Sequence, residues 1–136
     1  MTSASSESKK INIQYPPGLY QVTFGLTPEQ ITAAVASQDL KLFHLQGSNI
    51  HDKQTFINGL AKAAEFPDYA QANWDSLEEC LRDLEWCPAA GYVIFYQGTE
   101  PFQTATPDDW QTALEILSSA VDFWQRTSTP MYVFLE

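Results

Sequence analysis

Three apolar runs constrain this chain more than any other feature: LKLFHLQG at 40–47, GYVIFYQG at 91–98 and MYVFL at 131–135. Each has the length of a strand, two close on a glycine, and all are apolar almost continuously rather than at every second position. A strand with that pattern is buried on both faces. Such strands belong to parallel sheets, whose crossovers are helices and whose handedness is right-handed.

The sequence between the runs supplies the helices. From Asp52, DKQTFINGLAKAAEF places Phe56, Leu60, Ala63 and Ala64 at helical spacing and stops where Pro67 forbids continuation. After Asn73, a capping residue, Trp74, Leu77, Leu81 and Leu84 form one apolar stripe. DDWQTALEILSSAVDFW predicts a long helix with Trp110, Leu114, Leu117, Val121 and Trp124 inward. Upstream, Thr27-Pro28-Glu29-Gln30 combines a cap hydroxyl, a proline at the first helical position and a glutamine at the third. With Ile31, Ala34 and Val35 on one face, this predicts a short helix ending near Ser37. IQYPPGLYQVTF reads as an extended lead-in with Tyr20, Val22 and Phe24 alternating, an edge strand or an arm, and Gly98 to Pro107 reads as a surface connection.

The predicted class is therefore α/β: a small three-stranded parallel sheet packed by helices, preceded by an extended arm and a short helix. Residues 1–10 read as a disordered tail and 11–136 as a single domain, divided into an N-terminal extension (17–37) and a core (38–136). A chain of 136 residues that is 44% hydrophobic has enough apolar side chain for such a core.

Charge narrows the partners. Seventeen acidic residues against seven basic give a formal net charge of -10, which repels nucleic-acid phosphates and anionic membrane surfaces and favours a basic partner, although an acidic surface also serves solubility alone. The polar, serine-rich start resembles neither a signal peptide nor an anchor, and no stretch reaches the roughly 18 apolar residues of a membrane span. Cys80 and Cys87 form no multi-cysteine framework, so the expected compartment is the cytoplasm and no disulfide is expected between them.

The acid is densest in FPDYAQANWDSLEECLRDL, residues 66–84, where Arg82 is the single basic residue. Asp75, Glu78 and Glu79 project near one another, opposite the leucines. One reading is an exposed helix whose acids pair internally with Arg82, four after Glu78 and three after Glu79. The other is an interface, since Tyr69, Asn73 and Trp74 place aromatic and amide groups beside the acids, although Trp74 equally suits a core position. Enzymatic readings fare worse. Neighbouring carboxylates on one helix lack the opposed walls of a glycosidase site. His44 and His51 lack metal-ligand spacing, no nucleophile triad or phosphate loop is present, and the chain calls for no metal or cofactor.

The same stretch resembles the barstar family of intracellular ribonuclease inhibitors, through Pro67, Tyr69, Asn73, Trp74, Asp75, Leu77, Glu79, Cys80 and Leu81 in order. The flanking GLYQV, LFHLQG, GYVIFYQG and closing proline-strand extend the likeness over about residues 18 to 136. The resemblance implies a non-enzymatic, antitoxin-like protein, monomeric when free, that binds a small basic ribonuclease and blocks its active site with helix carboxylates mimicking substrate phosphates. It implies a partner-binding set of Tyr69, Asn73, Trp74, Asp75, Glu78 and Glu79, with Glu79 entering the phosphate site and Asp75 pairing with a second basic group. The alternative is a barstar-like interaction module retasked to another basic partner without ribonuclease inhibition.

Overall fold

The computed structural model describes residues 17–22 and 27–136. The element order is β1 (Leu19–Gln21), α1 (Pro28–Ser37), β2 (Lys41–Gln46), a 3-10 turn (Gly47–Asn49), α2 (Lys53–Ala63), α3 (Trp74–Leu81), β3 (Tyr92–Gln97), α4 (Glu100–Ala105), α5 (Pro107–Gln125) and β4 (Met131–Leu135). The disordered tail expected at 1–10, and Phe24 of the lead-in, lie outside the described residues.

All strands are parallel and lie in the order β1-β4-β3-β2. The sheet therefore has four strands, not the three expected. The fourth comes from the lead-in: Val133 N–H donates to the Gly18 carbonyl at 2.9 Å and Val22 N–H to the Leu135 carbonyl at 2.7 Å. The sequence pattern left this lead-in open between an edge strand and an arm. What makes it a strand is the free edge of β4, far away in sequence.

Period two divides the sheet between two cores. On one face Phe43 and Leu45 of β2, Tyr92, Ile94 and Tyr96 of β3, and Met131, Val133 and Leu135 of β4 pack against α2 to α5. On the other face Val93, Phe95, Tyr132 and Phe134 pack under Ile31, Ala34 and Val35 of α1. A row of rings crosses that second face in register: Tyr20 stacks on Phe134 at 5.9 Å, and Phe95 stacks on His44 at 5.2 Å. Helix α1 itself is set by its first turn, where the Thr27 hydroxyl accepts from Gln30 N–H at 3.1 Å and the Gln30 side chain accepts from Thr27 N–H at 3.0 Å.

The connection expected between Gly98 and Pro107 holds a helix, α4. Its segment has a single large apolar residue, Phe102, so no helical period is visible. Tertiary burial supplies the order instead: Phe102 is fully buried, with its ring 5.5 Å from Phe56 and 5.6 Å from Trp110. Two loops at the carboxyl ends of the strands also touch without room for a side chain. A Cβ on Gly47 would stand 1.9 Å from the Gly98 carbonyl oxygen, so only glycine fits there.

Tyr96 is fully buried, and among the described residues its hydroxyl is the one buried side-chain polar atom without a hydrogen-bond partner. Desolvation pushes its pKa far above the ordinary tyrosine value.

Two stability measurements follow from this packing. Ile31→Ala should lower unfolding free energy by about 2 to 5 kcal/mol, the cost of an internal cavity, in a single cooperative transition. A loss below about 0.5 kcal/mol, the level of an ordinary surface substitution, would show that α1 does not cover the second face. Tyr96→Phe keeps the ring contacts and removes an unsatisfied hydroxyl, so denaturant melts should show unchanged stability or a gain of about 1 kcal/mol. A loss of that size would mean that the hydroxyl has a partner.

Candidate functional site

The acid-rich helix is built from its entry. Asn73 has extended backbone, and its side-chain oxygen accepts from Ser76 N–H at 2.7 Å, one of the orphan donors of the first turn. The loop ahead is tied to the same turn: Gln71 N–H donates to the Ser76 hydroxyl at 2.8 Å, and the Asn73 side-chain amide donates to the Gln71 side-chain oxygen at 3.3 Å. The amide groups before the helix therefore hold the loop as well as the cap.

Burial fixes which side of α3 faces out. Leu77, Leu81 and Leu84 are fully or almost fully buried and Cys80 lies beside them, so Asp75 and Glu79 stand exposed on the opposite side. The far end is anchored by two indoles: Trp124 Nε1 donates to the Leu81 carbonyl at 2.7 Å, and Trp86 Nε1 to the Ala64 carbonyl at 3.0 Å. Cys80 and Cys87 are both free thiols, in line with the absence of a disulfide expected between them, and burial pushes the Cys80 thiol above its usual range, against an opposing hydrogen bond with Ser76.

Of the predicted residues, Tyr69, Asn73, Asp75 and Glu79 line one concavity of about 390 Å³, together with Gln71 and Asp83. Tyr69 is 66% exposed, the one large hydrophobic residue so exposed among those described, and its hydroxyl donates to Asp83 Oδ2 at 3.3 Å. The other two predicted residues lie outside the concavity. Glu78 is half-buried on another side of the helix. Trp74 is half-buried too, its ring 6.3 Å from Phe56 and covered by Lys53 Nζ at 5.9 Å from the centroid. Its ring thus packs against a core side chain while the residue stays partly exposed.

Asp83 is the residue that sequence reasoning passed over. Its signal was spacing, since it follows Glu79 by four and Asp75 by eight and so extends their row past the end of the helix.

Arg82 is placed differently from expectation. It lines a separate groove along α5 with Glu115 and Asp122, and it makes no ion pair within 4 Å among the described residues. The internal pairing with Glu78 and Glu79 is therefore not formed, because Arg82, three positions after Glu79, is carried round toward α5 while Glu79 faces the concavity. The one close approach of an acidic side chain to a basic or imidazole nitrogen among the described residues is His51 Nδ1 to Asp52 Oδ2 at 3.6 Å, at the start of α2. His44 is held by Phe95 and by a 3.2 Å contact from Nε2 to Gln97 Oε1, and both histidines are thus accounted for locally.

The arrangement gathers two carboxylates on a capped helix, a third just past its end and an aromatic from the loop before it around one anionic concavity. No helix among the described residues is long and apolar enough to cross a membrane. No curated protein matches the chain. The family model described as Barstar (barnase inhibitor) matches residues 40–136, from the start of β2 through α3 and its concavity to the end of β4. By that match the chain belongs to the barstar family.

Proposed function

We propose that the chain binds a small basic ribonuclease and inhibits it by seating the α3 concavity over the nuclease active site, where Asp75 and Glu79 take the places of substrate phosphates. The observation that carries this reading is the segregation of charge around α3. Asp75, Glu79 and Asp83 share one concavity with the exposed Tyr69, while Arg82 lines a different groove and leaves that concavity free of cations. The family match supports it, since the family is described by inhibition of such an enzyme. Tyr69 supplies aromatic area at the rim, and the Asn73 cap with its link to Gln71 keeps the loop in shape before contact. Trp74 and Glu78 border the contact rather than fill it.

The role assigned to these residues is binding, not catalysis, and nothing in the concavity requires a cofactor. The carboxylates are held apart from neighbouring cations, so their field reaches outward and steers a cationic partner.

Titrated inhibition of barnase and a panel of small basic ribonucleases tests this directly. Glu79→Ala should weaken inhibition by about 2 to 5 kcal/mol, as for one partner of a desolvated charge pair. Its thermal melt should shift by no more than a few tenths of a kcal/mol, as for an exposed helix carboxylate. Arg82→Ala should leave inhibition unchanged, because Arg82 faces α5. If wild type inhibits no member of the panel, the reading gives way to a module for another basic protein.

The association rate should also rise steeply as salt is lowered, because the screening length grows from about 8 Å at 0.15 M to about 30 Å at 0.01 M. A salt-independent rate would remove the carboxylates from the encounter.

A further inference from the structure

Away from the α3 concavity, β2 is the outer strand of the sheet and keeps one edge free over six residues, whereas the opposite outer strand, β1, spans three. Lys41 N–H donates to the Gly91 carbonyl at 2.9 Å, which fixes the alternation: Lys41, Phe43 and Leu45 turn their backbone groups toward β3, and Leu42, His44 and Gln46 turn theirs outward. No other described segment pairs with those outward groups. The His44 side chain does not shield them either, since its ring stacks on Phe95 and contacts Gln97, over the neighbouring strand.

Beside this edge runs a groove of about 560 Å³, with Leu45 and Gln46 of the strand on one side and Gly59, Lys62 and Ala63 of α2 on the other, closed by Ile50. Gly59 sits in mid-helix, where glycine is disfavoured by about 1 kcal/mol relative to alanine. A Cβ there would stand 3.2 Å from Ile50 Cδ1 and crowd the groove.

The charge beside this edge is opposite to that of the α3 face. No carboxylate lines the groove, Lys62 does, and Lys41 is exposed at the start of the strand. Neither lysine has an ion-pair partner within 4 Å among the described residues.

We propose that the β2 edge and this groove form a second docking site, which takes an extended peptide segment carrying an acidic side chain. The segment adds as a strand through the outward N–H and C=O groups of Leu42, His44 and Gln46, sets its carboxylate into the groove toward Lys62, and turns the apolar side chains on either side of it to the opposite face, beside the half-buried Leu42. A second copy of the chain is the poorer occupant, because two molecules of net charge -10 would meet there. The site is independent of the ribonuclease reading, so one chain would hold a basic protein at α3 and an acidic strand at β2.

The test uses the full isotope-labelled chain with two capped synthetic peptides, TVEVTV and TVKVTV. TVEVTV should slow hydrogen exchange at the amides of Leu42, His44 and Gln46 and shift the resonances of Gly59 and Lys62, while TVKVTV binds more weakly. Lys62→Glu should reverse that preference, by about two- to fivefold for each peptide, the scale of an exposed ion pair. Glu79→Ala should leave both responses unchanged, which separates this site from the α3 face. Absence of protection at those three amides with millimolar TVEVTV, or a preference unmoved by Lys62→Glu, would overturn the proposal. So would sedimentation of the peptide-free chain as a dimer that the variant Gln46→Pro abolishes, since a second copy would then own the edge.

Discussion

The structure depends on the burial of β3 from both sides. Tyr92 to Tyr96 are all nearly inaccessible to solvent, with β2 and β4 on the two edges and a separate apolar core on each face. A strand in that position satisfies its backbone through two ladders, and it has no solvent-facing side on which to place polar residues. That requirement explains why YVIFY lacks alternation, why helices must stand on both sides, and why α1 is needed where Val93 and Phe95 would otherwise meet water. On apolar area alone, each large side chain so buried contributes about 1.5 to 3 kcal/mol, so an uncovered second face would remove a substantial part of a stability that totals only about 5 to 15 kcal/mol.

What could be read from the residues was whatever carries its own signal locally. The caps of α1 and α3 are such signals: Thr27 with Gln30, and Asn73, which bonds Ser76, each close a turn within three residues. The apolar stripe of α3 is another, and it correctly turned Asp75 and Glu79 to solvent. Features that depend on long-range contact were only partly legible: the lead-in stayed open between an edge strand and an arm, and the α4 segment read as a connection. β1 becomes a strand because β4 offers an unpaired edge more than a hundred residues later, and α4 becomes a helix because Phe102 finds a ring-lined cavity. The same limit applies within the site. The spacing of Arg82 allowed a pair with Glu79, but Arg82, still helical at the C-cap of α3, lines the groove along α5 instead.

Charge is distributed in a way that the total of -10 does not convey. Ion pairing among the described residues is sparse, so the acids of α3 are not consumed by neighbours and the lysines of β2 and α2 are not either. In an acidic protein, unpaired surface charge costs little at physiological salt, because exposed pairs contribute at most about 1 kcal/mol in any case. The fold therefore gives up almost nothing by keeping its carboxylates apart from its cations, and it gains a surface with direction: anionic around α3, with the unpaired lysines Lys41 and Lys62 beside the β2 edge.

The family match starts at residue 40, so β1 and α1 fall outside it while the concavity falls within it. The two parts meet at the sheet. α1 covers the face that carries Phe95 and Phe134, and α3 packs through Leu77 and Leu81 into the other core. A change in α1 reaches α3 only through the strands between them, which are ordered by two ladders and are stiff compared with the loops at their ends. The added elements are thus placed to stabilise the sheet while contributing no residue to the concavity. A helix covering the second face leaves the Asp75, Glu79 and Tyr69 surface as open as it would be on the matched segment alone.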